Sequence, residues 1–241
     1  MAAVNLLQAR GLTRHFGGLR AVDSVDFDLE EGEIHALIGP NGAGKTTFVG
    51  LLCGRIDLQA GSVFFDGKDI THLSAQTRVV RGIAYTFQIT SIYAQLSVFD
   101  NVALAVQRRG APNLQDDTLS ALARVGLANF AAQIAGTLAY GHQRLLEIAM
   151  GLALKPRLLI LDEPTQGLAI AEIEAFKTLI QRLIPQTTVL LIEHNMDVVM
   201  DLAHKITVLN DGKVLARGTP AEIRANTAVQ AAYLGADHAA D

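Results

Sequence analysis

Hydrophobic and polar residues alternate through RAVDSVDFDL at positions 20–29, where Val25, Phe27 and Leu29 are separated by Asp26 and Asp28. A period of two puts the apolar set on one face, so this segment predicts a half-buried strand in a β-rich N-terminal region. At 33–38 (EIHALI) the apolar run becomes nearly continuous and ends in a Gly-rich loop, after which 45–52 predicts a helix. Short strands are predicted at 62–65, closed by an Asp66-Gly67 turn, and at 83–87. Strand signals then disappear. Leu119, Leu122, Ala123, Val125 and Leu127 recur at helical spacing, and a helical insert is predicted over roughly 90–155. Strands resume at 158–161 and 188–192 with a helix over 171–184 between them, a βαβ unit. Asp211-Gly212 joins 205–209 to 213–216 as a hairpin, Pro220 opens a short helix, and the final ADHAAD reads as a frayed tail.

Composition narrows the class. With 241 residues, 50% of them apolar, the chain can bury a sizeable core, which excludes a disordered or fibrous protein. A net charge of −4 and a pI near 6.0 have the wrong sign for a dedicated nucleic-acid binder, so no nucleic acid is expected as partner. Cys53 is the only cysteine of the sequence. No intrachain disulfide can form, a reducing compartment is expected, and beside Leu51 and Leu52 the thiol reads as a small buried hydrophobe. Neither a signal peptide nor a membrane span is predicted, because the most apolar stretch, 145–161, is interrupted by Glu147, Lys155, Pro156 and Arg157. The histidines show no zinc-ligand spacing with the lone thiol.

Candidate chemistry begins with Gly39, Pro40, Asn41, Gly42, Ala43, Gly44, Lys45 and Thr46, a full GxxxxGK[ST] match, followed by Thr47. It lies between a predicted strand and a predicted helix, as a phosphate-binding loop must. The glycines let backbone N–H groups turn inward on a phosphate, the helix start adds its positive dipole end, Lys45 adds a point charge, and the Thr46 hydroxyl can ligate Mg²⁺. A metal-holding carboxylate is then required nearby, and the apolar run at 158–161 delivers Asp162 to the sheet edge. Glu163 follows, pointing to the other side and placed to orient or deprotonate a water attacking the γ-phosphate. His194 stands at the end of the next predicted strand, within reach of the same phosphate.

LAYGHQR at 138–144 is the segment that an ordinary P-loop kinase lacks, and it resembles the LSGGQ signature of ATP-binding cassette (ABC) ATPases. With GPNGAGKT, Gln88 in YTFQ, LLILDEP and His194 in the same order, the resemblance covers nearly the whole chain. FGGLRAV at 16–22, GKDIT at 67–71, EHNMDVVM at 193–200 and AYLG at 232–235 are similar to the ATPases of branched-chain amino-acid and urea-type importers.

The resemblance implies an α/β fold over 1–241: a P-loop NTPase core of ABC ATPase type with an N-terminal antiparallel β-subdomain and an inserted helical subdomain. It implies ATP and Mg²⁺ as ligands. Gln88 and His194 join Glu163 as catalytic groups, and Thr46, Gln88 and Asp162 hold the metal. Phe16 stacks on adenine, while Leu138, Ala139, Tyr140, Gly141 and His142 form the signature facing ATP on a second cassette. That second cassette, expected to be a non-identical chain, packs head to tail. Two separate membrane permease subunits complete the importer on the cytoplasmic face of the bacterial inner membrane, fed by a solute-binding protein. Branched-chain or other hydrophobic amino acids are the expected cargo, with urea or amides as the alternative. A cytosolic cassette acting on ribosomes or DNA, or an ATP-binding module without turnover, are the rival readings. The sequence departs from the family pattern at Ala139, where a Ser is usual, at Tyr140 and His142, and at Ala169, where an Asp is usual in the D-loop. The helix that follows Gly141 is expected to keep N–H donors for phosphate.

Overall fold

A computed structural model describes residues 5–86 and 91–237. The chain opens with two long strands, β1 (Asn5–Phe16) and β2 (Leu19–Glu30), paired antiparallel. The sequence pattern predicted only the second, because Gly11 and the register shifts around it break the alternation of β1. Strand β3 (Ile34–Ile38) is buried at every position and leads through the Gly-rich loop into helix α1 (Lys45–Leu52). Next come β4 (Ala60–Phe65), β5 (Lys68–Asp69), helix α2 (Ala75–Val80) and β6 (Ile83–Tyr85). The helical insert follows as α3 (Val98–Arg109), α4 (Leu114–Arg124) and α5 (Tyr140–Ala153). The chain continues with β7 (Leu158–Asp162), α6 (Ile170–Leu183), β8 (Thr188–Ile192), α7 (Met196–Leu202), β9 (Lys205–Asn210) and β10 (Lys213–Gly218). It closes with α8 (Pro220–Ala225) and α9 (Thr227–Asp237). The predicted tail at ADHAAD therefore includes the end of a helix, and its last residues lie outside the described ones.

Two sheets result. An antiparallel sheet has the order β2-β1-β4-β5, and a six-stranded sheet has the order β10-β9-β3-β8-β7-β6. In the second, β3 pairs in parallel with β8 and β9, and β7 with β6 and β8, while the hairpin strand β10 forms an antiparallel edge. Because β7 is an interior strand, Asp162 stands at its carboxyl end and not on a lateral edge of the sheet. Helices or the other sheet cover both faces, which explains why β3, β7 and β8 read as continuous apolar runs. Phe27, Phe48, Leu51 and Val63 pack around α1 between the sheets. On the opposite face, Leu146, Leu152, Phe176 and Ile180 join the sheet to the helical insert.

Arg78 of α2 is only 1% exposed. Its guanidinium donates to the carbonyls of Leu51 at 2.8 Å, Leu52 at 2.6 Å, Thr71 at 2.9 Å and Leu73 at 3.1 Å. Two of these belong to the last turn of α1, whose carbonyls have no partner within the helix. Among the described residues no helix is long and apolar enough to cross a membrane.

Candidate nucleotide site

The carboxyl ends of β3, β7 and β8 converge on one side of the parallel sheet. After β3 the chain turns at Gly39, whose φ is +152° and where a Cβ would stand 2.2 Å from the Leu209 carbonyl oxygen. Gly44 caps α1 at φ +95°, and a Cβ there would meet the Ala21 carbonyl oxygen at 2.0 Å. Only glycine fits either place. Lys45 is buried within the loop, and its ammonium donates to the carbonyls of Gly39 at 2.7 Å and Pro40 at 3.0 Å. Burial pulls its pKa below the ordinary lysine value, against the opposing charges of Glu163 and Asp162. Thr46 is exposed on the first turn and Thr47 is half-buried.

Asp162 ends β7 and is 4% exposed. Burial raises its pKa above the usual carboxylate range, opposed by a hydrogen bond from the Tyr85 phenol to Oδ2 at 2.6 Å. The same burial and the Asp162 carboxylate push the Tyr85 phenol upward. Glu163 follows in a left-handed conformation, φ +48°, with its N–H bonded to the Ile192 carbonyl at 2.9 Å. That turn sends its side chain toward β8, where Oε1 lies 2.9 Å from His194 Nε2. Glu163, His194, Asn41, Gln166 and Glu193 line an open cavity of about 680 Å³.

Sequence reasoning assigned no role to Glu193. Its buried carboxylate accepts the Thr165 N–H at 3.0 Å and the Thr165 hydroxyl on one oxygen. The other oxygen accepts the N–H groups of His194 at 2.9 Å and Asn195 at 3.1 Å. It thereby braces the loops after β7 and β8 against each other, and its position directly before His194 was the available signal. Tyr85 was missed as well. Its place on a strand paired with β7 is visible only in the register, Tyr85 opposite Ile160.

The signature segment begins α5 two residues earlier than expected, at Tyr140 rather than after Gly141, with Ala139 as a cap that offers no side-chain acceptor. Leu138 is buried in the core beneath the insert, so its side chain does not reach the surface where a partner's ATP would lie. Ala139 and Tyr140 are exposed, while the His142 ring packs on Phe130 with centroids 4.7 Å apart. Gly141 is buried by Glu172, because a Cβ there would lie 2.1 Å from Glu172 Oε1. Glu172 also accepts the Ala169 N–H at 2.8 Å, which ties the 167–169 loop to the start of α5.

Phe16 is 45% exposed at the end of β1, with the Arg14 guanidinium 4.8 Å from its ring centroid. It is a surface aromatic and not a core residue. Gln88 lies outside the described residues. Cys53 is buried, which pushes its thiol pKa up to about 12 and makes it unreactive.

The residues present fit Mg²⁺. This ion retains waters and takes one or two protein oxygens alongside phosphate, so a buried carboxylate together with a Thr hydroxyl on a phosphate loop suffices. A site of this kind needs no cluster of protein ligands, and none is found among the described residues.

The profile of the ABC transporter family matches residues 22–166. A second profile, described as a branched-chain amino acid ATP-binding cassette transporter, matches residues 213–239. The chain is 39% identical to the high-affinity branched-chain amino acid transport ATP-binding protein BraF of Pseudomonas aeruginosa, over 95% of this chain and 98% of that one. LivG of Salmonella typhimurium, described in the same words, matches at the same identity and coverage. The lipopolysaccharide export system ATP-binding protein LptB of Escherichia coli is 33% identical, with 96% and 98% covered. Among solved structures, an ABC transporter cassette in its ADP conformation superposes with a TM-score of 0.87 at 24% identity, covering 96% of this chain and 99% of that one. A dimeric post-hydrolysis cassette bound to ADP and Pi gives 0.79 at 25% identity, with 89% and 98% covered.

Proposed function

The chain belongs to the ABC transporter family of ATP-binding proteins, and from that premise we propose that it hydrolyses ATP to drive import of branched-chain or other hydrophobic amino acids through separate permease subunits. The observation that carries the chemistry is the meeting of the Lys45 loop, Asp162 and the Glu163–His194 pair at the carboxyl ends of adjacent strands. The match at 213–239 and the identity to BraF and LivG support the choice of cargo. Urea or amides are the alternative cargo.

Backbone N–H groups of 39–46 and the Lys45 ammonium receive the phosphates, and Lys45 exchanges its two loop carbonyls for phosphate oxygens as it does so. Thr46, Asp162 and Gln88 would hold Mg²⁺, and the ion would supply neutralisation of the phosphate charge. Glu163 accepts a proton from the attacking water, and His194, hydrogen-bonded to it, orients the carboxylate and the γ-phosphate. Phe16 offers a flat surface to adenine on the face that Arg14 leaves open. Ala139 to His142 face ATP held by a second cassette packed head to tail, so each site is completed by its neighbour. The assembly lies on the cytoplasmic face of the inner membrane, and a solute-binding protein supplies the cargo.

Glu163→Gln tests the reading. It keeps side-chain size and removes the base, so ATP binding should persist while turnover falls by roughly 10²–10⁴-fold. Near-normal hydrolysis by the assembled transporter carrying this variant would refute the assignment, and unimpaired leucine uptake in cells lacking the chain would refute the cargo.

A further inference from the structure

Tyr85 joins three parts of the site. It is the last residue of β6, opposite Ile160 of β7, and its phenol reaches past the strand end to Asp162 Oδ2 at 2.6 Å. That length marks a short, direct O–H···O hydrogen bond in which the phenol donates. On its ring lies the Arg55 guanidinium, 4.9 Å from the centroid, and the backbone N–H of Arg55 donates to the Gly50 carbonyl of α1 at 2.9 Å. The phenol is thus held between the helix that follows the phosphate loop and the strand that carries the carboxylate. In sequence it lies three residues before Gln88.

A buried carboxylate with one oxygen engaged cannot spin about its terminal bond, so its second oxygen keeps a fixed direction. Partners of this kind, which touch a ligand and not the metal, set both the orientation and the affinity of a metal site. We infer that Tyr85 is a positioning residue for the Mg²⁺-binding carboxylate Asp162, and that it sets how much divalent metal the site needs to bind ATP. This rests on the ATP-hydrolysing reading of the site. Arg55 acts one step further out, restraining the ring.

The test is Tyr85→Phe in the full chain, which removes the phenol oxygen and keeps the ring under Arg55. ATP binding is titrated with a fluorescent analogue against Mg²⁺ and also in EDTA, and Mn²⁺ binding in the presence of a non-hydrolysable analogue is read by paramagnetic resonance. The half-saturating metal concentration should rise about tenfold, while analogue affinity in EDTA stays at the wild-type value. In an Asp162→Asn background the same change should shift the metal response no further. An unchanged or lower metal requirement in Tyr85→Phe would overturn the inference. So would an equal loss of affinity with and without metal, which would place Tyr85 in loop packing instead. If the unaltered chain shows no metal-dependent ATP binding, the functional reading itself fails and the inference with it.

Discussion

Arg78→Met removes a buried charged group bonded to the end of the phosphate-loop helix. The guanidinium serves four carbonyls, two on the last turn of α1 and two on the segment before α2. Methionine fills similar volume and leaves these carbonyls buried. The Leu51 carbonyl keeps the Gly54 N–H at 3.2 Å; at about 1–3 kcal/mol for each carbonyl left without a donor the gross loss is several kcal/mol, partly offset because a cation no longer has to be desolvated. A net loss of about 3–5 kcal/mol follows, in the range found when one partner of a buried polar set is deleted. For a chain of this length that is a fall in melting temperature of roughly 6–20 °C. Arg78→Lys keeps the charge but presents one compact ammonium to carbonyls arranged for a planar fork, so it should lose about 1–3 kcal/mol. Urea unfolding by circular dichroism measures both, with a lower midpoint and an unchanged slope as the expected signature. A methionine variant melting within about 2 °C of wild type would refute the reasoning, since it would mean that the carbonyls find other partners at little cost.

Asp162→Asn should stabilise the nucleotide-free protein at neutral pH. Burial raises the pKa of this acid, so the folded state favours its protonated form. Its contribution to stability is therefore best below the ordinary carboxylate range and declines as pH rises from there through the raised value. Melting curves between pH 4 and 8 should show that decline in the wild type and lack it in the variant; parallel curves would contradict it. Ala139→Ser gives α5 the side-chain acceptor it lacks. About 1 kcal/mol of added stability is expected, together with faster hydrolysis of the ATP held by the partner cassette. No change in either melting or transporter ATPase would refute both expectations.

The parts of the fold that could be read from the sequence are those where one interaction dominates. Asp211-Gly212 fixes a hairpin, the apolar runs of β3, β7 and β8 announce strands covered on both faces, and Gly39 to Thr46 specify a strand-loop-helix. Helix α1 was placed to the residue because the loop chemistry sets its start. Strand β1 was not, since its pairing is interrupted by register shifts that depend on β2 and β4. Helices α2 and α9 carry weak apolar stripes of their own. In the site, Lys45, Asp162, Glu163 and His194 were legible because each occupies a motif position. Tyr85, Glu172 and Glu193 were not, because each acts on a neighbour brought close by strand register or loop packing. Leu138 differs from its motif neighbours in that its side chain packs into the core.

Gly39 presses on the Leu209 carbonyl and Gly44 on that of Ala21, so the phosphate loop is gripped by strands from both sheets. The loss of conformational entropy in shaping this loop therefore falls within the folding reaction and is absent when nucleotide arrives. Association with a loop already in its binding shape spends little interaction energy on ordering it. Alanine at either glycine accordingly belongs among the lesions that reduce the yield of folded protein, while Lys45 belongs among those that weaken the ligand.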